Sequence, residues 1–371
     1  MSADALALSA DMADGFLIST SARCACGGFN VNLEYPASIL PISRSLCLCN
    51  QCRAVSGSCG VSYINLPSSL SSSIDPTSFS LKAYPSTAHQ TRYFCTTCGS
   101  HVLCRSANTG EYRIATGILS RTEGIVKWTG TKMVGDTKDG GVGIWLQDIV
   151  DADGTTRKLG RWTAQDGVPA KEWTRPDILS AKRGDKLKAS CHCGGVKFYV
   201  TRPNEASKKV SSPFPDLMIP YHEGHTSANP RNLTWWLRGD NTKYLAGTCM
   251  CESCRLALGF EIQTWAFIPK YNIFFGDGKS LDFKMGTLSR YESSEGAHRE
   301  FCSTCGATVF WHCEERPELI DVSVGLFDPE EGARVERWLE WWPERVSFKE
   351  MSVSTRLAQS LEEGLREWGE I

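Results

Sequence analysis

Short stretches in which apolar and polar residues alternate are the main pattern along this chain. Residues 28–33 and 196–200 alternate in this way, and residues 263–268 form a run rich in strand-forming side chains that stops at Pro269. Alternation with a period of two places the apolar side chains on one face of a strand. The pattern therefore predicts a mainly β protein built from short strands.

Helical spacing of apolar residues is clear only at the end of the chain. Leu357, Leu361, Leu365 and Trp368 recur with charged residues between them. This spacing gives a helix one apolar stripe. We expect a short C-terminal helix within a tail of residues 351–371 that packs on its own domain, in preference to a helix that binds a partner.

Three cysteine elements occur twice in the same order, as C-x-C, C-x-C-x-x-C and C-x-x-C. Corresponding cysteines lie 167, 202 and 207 positions apart in the three elements, so the second copy has 35 extra residues between its first two elements. The chain is therefore a duplicated domain with an insertion. The elements are Cys24 and Cys26, Cys47, Cys49 and Cys52, and Cys95 and Cys98 in the first copy, and Cys191 and Cys193, Cys249, Cys251 and Cys254, and Cys302 and Cys305 in the second.

These landmarks predict the domain organisation. The first zinc domain covers residues 16–150 and the second covers residues 186–350, with the insertion at about 201–246. Residues 151–185 contain Gly and Pro at several positions and are interpreted as a linker. The serine-rich residues 68–73 are interpreted as a loop. His222 and His225 lie in the proline-rich insertion, and we interpret them as polar surface in preference to metal ligands.

Composition limits the class of protein. The chain has 371 residues, 41% hydrophobic and 22% charged, which is typical of globular proteins, and it contains no apolar run long enough to span a membrane. The first residues are acidic and lack a positively charged leader, so we expect a cytoplasmic protein. Seventeen cysteines in paired spacings, without an export signal, favour metal binding over disulfides. Cysteine thiolates make the metal-loaded protein more acidic still, which argues against nucleic acid as a partner.

The spacing of the cysteines suggests two kinds of zinc site in each copy. A C-x-C pair and a C-x-x-C pair together supply the four ligands of a closed structural site, whereas a C-x-C-x-x-C run supplies three and leaves one position open. We therefore predict two structural zinc ions and up to two labile ones. The predicted structural ligands are Cys24, Cys26, Cys95 and Cys98, and Cys191, Cys193, Cys302 and Cys305; the predicted open sites are Cys47, Cys49 and Cys52, and Cys249, Cys251 and Cys254.

Other residues have weaker patterns. The remaining three cysteines, Cys59, Cys104 and Cys313, are interpreted as small buried apolar residues. Several acidic and histidine side chains near the motifs could move a proton, but each one is more typical of a surface or supporting residue, and we assign none of them as a general base. These candidates are Glu252, Glu261, Asp240, His89 and His101.

The combined pattern resembles a known family. Both copies show C-x-C-G-G, then C-x-C-x-x-C-R, then Tyr-x-Ser-x(5)-Arg-x-Phe-Cys-x-x-Cys-Gly, which runs from Tyr84 to Gly99 and from Tyr291 to Gly306. This resembles the glutathione-dependent formaldehyde-activating enzyme and centromere protein V family, and the tandem arrangement is similar to that of two-domain fungal members. The resemblance implies a β-tent fold, structural zinc on the outer cysteines, a second zinc on the middle three, and carbon–sulfur lyase activity on a glutathione adduct.

The chemistry of the middle cysteines is compatible with this activity. Three thiolates give a bound zinc ion a net negative charge, which weakens it as an activator of water and suits a fourth sulfur ligand. The leading hypothesis is an enzyme acting on a small-molecule thiol adduct, with glutathione as a possible co-substrate. The alternatives are a non-catalytic zinc-stabilised binding scaffold and a metabolite-tailoring enzyme that uses zinc-bound water. The insertion could wall a pocket beside the second triple, which slightly favours that copy as the working one.

Overall fold

The structure is a computed structural model that describes residues 16–163, 184–220 and 228–370. His222, His225 and residues 164–183 of the predicted linker lie outside the described residues. Among the described helices, none has the length and apolar character needed to cross a membrane.

Short strands dominate both halves of the chain. The prediction of a mainly β tandem protein with a short C-terminal helix is confirmed. The first half contains β1 (Leu17–Arg23), β2 (Asn30–Pro36), β3 (Ile42–Cys47), α1 (Asn50–Ser56), β4 (Tyr63–Asn65), α2 (Ser68–Ser71), β5 (Leu81–Thr87), β6 (Gln90–Cys95), β7 (His101–Ser106), β8 (Tyr112–Ala115), β9 (Val126–Lys132), β10 (Asp148–Val150), β11 (Thr156–Lys158) and β12 (Gly160–Trp162). The second half contains β13 (Lys186–Ser190), β14 (Lys197–Thr201), β15 (Leu237–Arg238), β16 (Lys243–Cys249), α3 (Glu252–Leu258), β17 (Gln263–Pro269), β18 (Ile273–Phe275), β19 (Leu288–Ser294), β20 (Ala297–Cys302), β21 (Thr308–Cys313), β22 (Leu319–Ser323), β23 (Leu339–Trp341) and α4 (Thr355–Gly369).

Each half is built around an antiparallel meander. In the first half the sheet order is β4-β8-β7-β6-β5, and in the second it is β15-β16-β17-β22-β21-β20-β19, with β23 paired to β16. Smaller sheets flank them: β1-β2, β12-β9-β3, β10-β11 and β13-β14-β18. The meander carries one pair of outer cysteines at the end of β6 or β20, and the small sheet β1-β2 or β13-β14 carries the other pair on the turn that joins its strands.

The two halves pack through reciprocal contacts at the ends of α1 and α3. Each helix is terminated by a glycine with positive φ, Gly57 at 83° and Gly259 at 93°, a conformation that glycine adopts at helix ends without steric cost. A Cβ atom on Gly57 would lie 2.2 Å from the Thr308 carbonyl oxygen, and one on Gly259 would lie 2.2 Å from the His101 carbonyl oxygen. Buried apolar residues of both halves form one continuous core. Glycine at these two positions therefore permits the close approach of the halves.

The C-terminal helix contacts both halves, so the expectation that it packs on its own domain was too narrow. Leu361 and Leu365 are fully buried. The Ser360 hydroxyl donates to the Asp148 carbonyl oxygen in the first half, while the Glu362 carboxylate accepts from the Val346 backbone N–H in the second at 2.9 Å. The apolar stripe read from the sequence therefore covers the junction between the halves.

Two segments interpreted as irregular are partly regular. Residues 68–73 begin with the one-turn helix α2, in which the Ser72 backbone N–H donates to the Ser68 carbonyl oxygen at 3.3 Å. The Ser72 and Ser73 hydroxyls also donate to the Ser68 and Ser69 carbonyl oxygens, at 3.1 and 3.0 Å. The first part of the predicted linker supplies β11, which pairs with β10 of the predicted first domain, and β12, which pairs in parallel with β9. Residues 68–73 are therefore not entirely a loop, and the predicted linker contains two short strands. Of these, β12 depends on pairing with a strand about 30 residues away, which local composition does not reveal.

Candidate metal centres

Both C-x-C-x-x-C runs lie where a strand passes into a helix. Cys47 ends β3 and Cys249 ends β16, and the next cysteine in each run caps the following helix. The Cys49 sulfur accepts from the Cys52 backbone N–H at 3.3 Å, and the Cys251 sulfur accepts from the Cys254 N–H at 3.2 Å. A helix start satisfied in this way turns three thiols toward one point.

The structure gathers the cysteines into the four predicted groups. Within each group the sulfur atoms all lie within 4.8 Å of one another, and all 17 cysteines are free thiols. Individual sulfur–sulfur distances include 3.5 Å for Cys24 and Cys26 and 3.4 Å for Cys193 and Cys302. A tetrahedral zinc ion with Zn–S bonds of about 2.3 Å has sulfur–sulfur edges of about 3.8 Å. The four groups therefore fit zinc, two with four ligands and two with three.

The outer group of each half lies against the middle triple of the other. The His192 backbone N–H, between Cys191 and Cys193, donates to the Ala54 carbonyl oxygen of α1 at 3.0 Å. In the reciprocal position Arg23, next to Cys24, forms an ion pair with Glu252 of α3 at 2.8 Å. The four groups are therefore parts of one interlocked assembly and not two separate modules.

A buried arginine donates to one thiol of each triple. The Arg92 guanidinium donates to the Cys52 sulfur at 3.0 Å, and Arg299 donates to the Cys254 sulfur at 3.4 Å. The pKa of the Cys254 thiol lies well below its usual value, because Cys249 and Cys251 form hydrogen bonds with its sulfur. The positive charge of Arg299 lowers this pKa further. The corresponding pKa of Cys52 is lowered in the same way. Both arginines belong to the recurring motif in the sequence, but only the structure shows their contact with the thiols.

A cavity of about 510 Å³ opens at the second triple, and we call it the second-site cavity. All three thiols of that triple line it. Residues of the insertion form one wall, including Phe214 and Leu217, and Trp265 and Trp311 form others. The predicted insertion thus does wall a pocket beside this triple.

A buried cluster of charges forms part of the same cavity. Arg316 pairs through Nε with Asp216 of the insertion and through Nη2 with Asp321 of β22, each at 2.8 Å, and lies over the Trp311 ring at 4.8 Å. Burial raises the pKa of Asp321 to about 7, although the Arg316 charge opposes this shift. Sequence reasoning missed all three charged residues, because no motif contains them and Asp216 comes from the insertion.

Strand register shows that the two halves have diverged at this position. Arg299 pairs with Trp311, which pairs with Asp321; in the first half Arg92 pairs with Cys104, which pairs with Arg113. Asp321 of the second half therefore occupies the position of Arg113 in the first half, and Trp311 occupies the position of Cys104. Asp321 could have been found by comparing the two copies strand by strand, because its charge is opposite to that of Arg113.

The five candidates for proton transfer from the sequence, Glu252, Glu261, Asp240, His89 and His101, lie outside the second-site cavity. Glu252 pairs with Arg23, Glu261 is buried between the halves, Asp240 and His89 are exposed, and burial lowers the pKa of His101 to about 3. Cys59 and Cys104 are buried as interpreted, whereas Cys313 is half-buried and lines the cavity.

Comparison with protein families identifies one match. The sequence profile described as glutathione-dependent formaldehyde-activating enzyme matches residues 19–129 and 237–344, together more than half of the chain. The second matched region omits Cys191 and Cys193, which the structure brings to Cys302 and Cys305 across the insertion. Comparison with curated proteins and with solved structures finds no match.

Proposed function

Because the chain belongs to the glutathione-dependent formaldehyde-activating enzyme family, we propose that it is a zinc-dependent carbon–sulfur lyase acting on a thiol adduct, with the second triple as its working site. The observation that carries this proposal is that Cys249, Cys251 and Cys254 line a cavity large enough for a small molecule.

The proposed reaction breaks the carbon–sulfur bond of a thiohemiacetal. Sulfur leaves with the bonding electron pair as a thiolate, the carbon becomes a carbonyl group, and the hydroxyl proton passes to a base; the reverse reaction forms the adduct. A zinc ion held by the three cysteines would supply stabilisation of the leaving thiolate. Arg299 contributes by donating to Cys254 and to the Ser253 hydroxyl, at 3.4 and 3.0 Å, which fixes one ligand in the wall of the cavity.

Asp321 is the proposed proton acceptor. It lines the same cavity as the triple, and a carboxyl group with a pKa near 7 can both take up and release a proton at neutral pH. Its pairing with Arg316 holds the carboxyl group in one orientation. The first half has Arg113 at the equivalent position, which supports the second triple as the working site.

The charges around the second-site cavity affect which thiol adduct it prefers as substrate. Glu295, Glu314 and Glu315 are exposed at its edge, and both cationic side chains that line it, Arg299 and Arg316, are engaged inside. Glutathione has two carboxylates and one ammonium group, so these glutamates repel it more than a neutral or cationic thiol. We therefore propose that a thiol adduct without net negative charge is preferred over the glutathione adduct.

The test compares two adducts of formaldehyde, one with glutathione and one with cysteamine. The acceleration of exchange between adduct and free formaldehyde is measured by NMR for the zinc-loaded protein. We expect turnover of both, with the higher kcat/KM for the cysteamine adduct. Cys249→Ser should abolish turnover and Cys47→Ser should leave most of it. Asp321→Asn should lower kcat by about 100-fold, while Asp240→Asn, an exposed control, should not change it.

The outcomes separate the alternatives. Full turnover by the Cys47→Ser and Cys249→Ser double variant would exclude both open sites from catalysis. Absence of any turnover, together with unchanged zinc coordination by X-ray absorption when thiol is added, would favour the binding scaffold.

A further inference from the structure

A second cavity lies between the halves, and we call it the basic cleft. Its volume is about 740 Å³. Helix α1 of the first half forms one wall, and strands β13 and β14 of the second half form the opposite one. None of the thiols Cys47, Cys49 and Cys52 lines it, although their neighbours on α1 do, and the predicted zinc ligand Cys191 forms part of the other wall.

The charged groups of the basic cleft are mostly positive. Lys186, Lys188 and Lys197 line it, and none of them forms an ion pair within the described part of the chain. The acidic residue among the lining side chains is Asp328, whose carboxylate accepts from the Glu330 backbone N–H at 3.0 Å. No carboxylate of the described residues therefore pairs with the three lysines, although Lys186 Nζ lies 4.4 Å from the Tyr199 ring centre and the predicted zinc ligand Cys191 also lines the cleft.

Arg53 adds a buried cation to the same wall. It is 1% exposed, its Nη2 donates to Asn50 Oδ1, and its Nε and Nη1 have no hydrogen-bond partner among the described residues. An arginine that is buried without a carboxylate is costly, because the lost hydration is not replaced by an opposite charge.

The second half contains a counterpart, Arg255, whose Nε likewise has no hydrogen-bond partner among the described residues but whose Nη1 is satisfied. Arg255, at the position equivalent to Arg53, donates through Nη1 to the Gly117 and Leu119 carbonyl oxygens at 2.8 and 3.0 Å. Its neighbour Glu252 lies 3.7 Å from Nη2, whereas the first half has Asn50 at that position. The first half therefore lacks the carboxylate, although its arginine is also buried.

We propose that the basic cleft binds a small organic anion whose carboxylate or phosphate group is held by Arg53 and the three lysines. The planar guanidinium offers paired N–H donors that match such groups. Phe198, Leu326 and Phe327 supply buried apolar surface in the same cleft, which suits the carbon skeleton of an organic ligand. The volume lies within the usual range of small-molecule sites.

Calorimetric titration of the full-length, zinc-loaded protein tests this site. The probes are phenyl phosphate, phenylacetate, inorganic phosphate and, as the neutral control, benzyl alcohol. We expect one site for phenyl phosphate or phenylacetate, at least tenfold tighter than inorganic phosphate, and no binding of benzyl alcohol. The tighter of the two aromatic anions identifies phosphate or carboxylate as the preferred group.

Charge reversal locates the site. The double variant Lys188→Glu/Lys197→Glu should weaken binding of the preferred anion at least tenfold. The control Lys209→Glu/Lys284→Glu makes the same charge change at exposed positions outside the cleft and should leave the affinity unchanged. Arg53→Gln should weaken it by a similar factor. Equal weakening by both lysine pairs, or inorganic phosphate binding as tightly as phenyl phosphate, would overturn the proposal. Since the lysines are exposed, their variants test the site even if Arg53→Gln fails to fold.

Discussion

The Tyr84 hydroxyl in the first half lies 2.6 Å from Nδ1 of His192 in the second half. His192 stands between two predicted zinc ligands, Cys191 and Cys193, so this hydrogen bond ties the meander of one half to the outer cysteine group of the other. The reciprocal position differs. Tyr291 lies beside the outer cysteines of the first half, where Ala25 occupies the position of His192.

The first prediction concerns this pair. Tyr84→Phe should lower the free energy of unfolding by about 1 kcal/mol, because a partly buried hydrogen bond is lost and a ring nitrogen is left without it. Tyr291→Phe is the matched control and should change stability by less than half as much. Thermal unfolding at constant zinc content measures both. Equal losses of stability in the two variants would mean that the Tyr84–His192 hydrogen bond does not stabilise the fold.

The second prediction concerns the four-cysteine groups. Cys24→Ser or Cys302→Ser should unfold its half, since binding at a structural zinc site contributes on the order of 10 kcal/mol to folding. Cys104→Ser, at a buried thiol outside the four groups, is the control and should retain both the fold and the zinc. Elemental analysis and circular dichroism give the readouts. A folded Cys24→Ser protein with its full zinc content would show that these ligands are misassigned.

The third prediction concerns the three-cysteine groups. Cys47→Ser and Cys249→Ser should each leave a folded chain that has lost one labile zinc ion, because α1 and α3 remain held by the interface between the halves. Mild chelation of the unmodified protein should remove up to two zinc ions and leave two. Loss of all zinc at a single chelator concentration would contradict the distinction between open and closed sites.

The fourth prediction concerns pH. Burial raises the pKa of Glu261 from 4.5 to about 7, and the Thr116 hydroxyl and the Arg255 charge oppose this shift only in part. Between these pH values the unfolded chain releases the proton while the folded chain keeps it, so stability falls as pH rises from about 4.5 to 7 and is then constant in this respect.

Glu261→Gln should therefore be more stable than the unmodified protein, by up to about 3 kcal/mol above pH 7 and by progressively less toward pH 5. Comparing the two proteins at each pH removes the separate effect of acid on zinc. A gain from Glu261→Gln that did not vary with pH would exclude this explanation.

The fifth prediction concerns the C-terminal helix. A Cβ atom on Gly364 would lie 1.8 Å from the Trp145 carbonyl oxygen in the first half. Gly364→Ala should destabilise the protein by about 1–3 kcal/mol, since the clash outweighs the higher helix propensity of alanine. Glu367→Ala, at an exposed position of the same helix, should be neutral or slightly stabilising. Thermal unfolding distinguishes them, and a stabilising Gly364→Ala would show that the helix does not pack as described.

Sequence alone determined the elements with short-range physical causes. Alternation predicted strands such as β14, helical spacing predicted α4, and the C-x-C-x-x-C runs predicted three thiols at one point, because ligands a few residues apart on a turn need no distant partner. The repeated order of the cysteines also predicted which pairs combine into four-ligand groups, and the structure gathers those pairs.

Tertiary structure decided everything that depends on chain segments far apart in sequence. The hydrogen bond between Tyr84 and His192, the close approach of Gly57 to Thr308 and the pairing of Arg316 with Asp216 and Asp321 join residues whose proximity no local pattern encodes. Register on adjacent strands placed Asp321 opposite Trp311, and burial, which only the packed chain produces, raised its pKa. The ligands were therefore readable from spacing, whereas the second-site cavity and its charges arise from how the insertion packs on the strands of the second half.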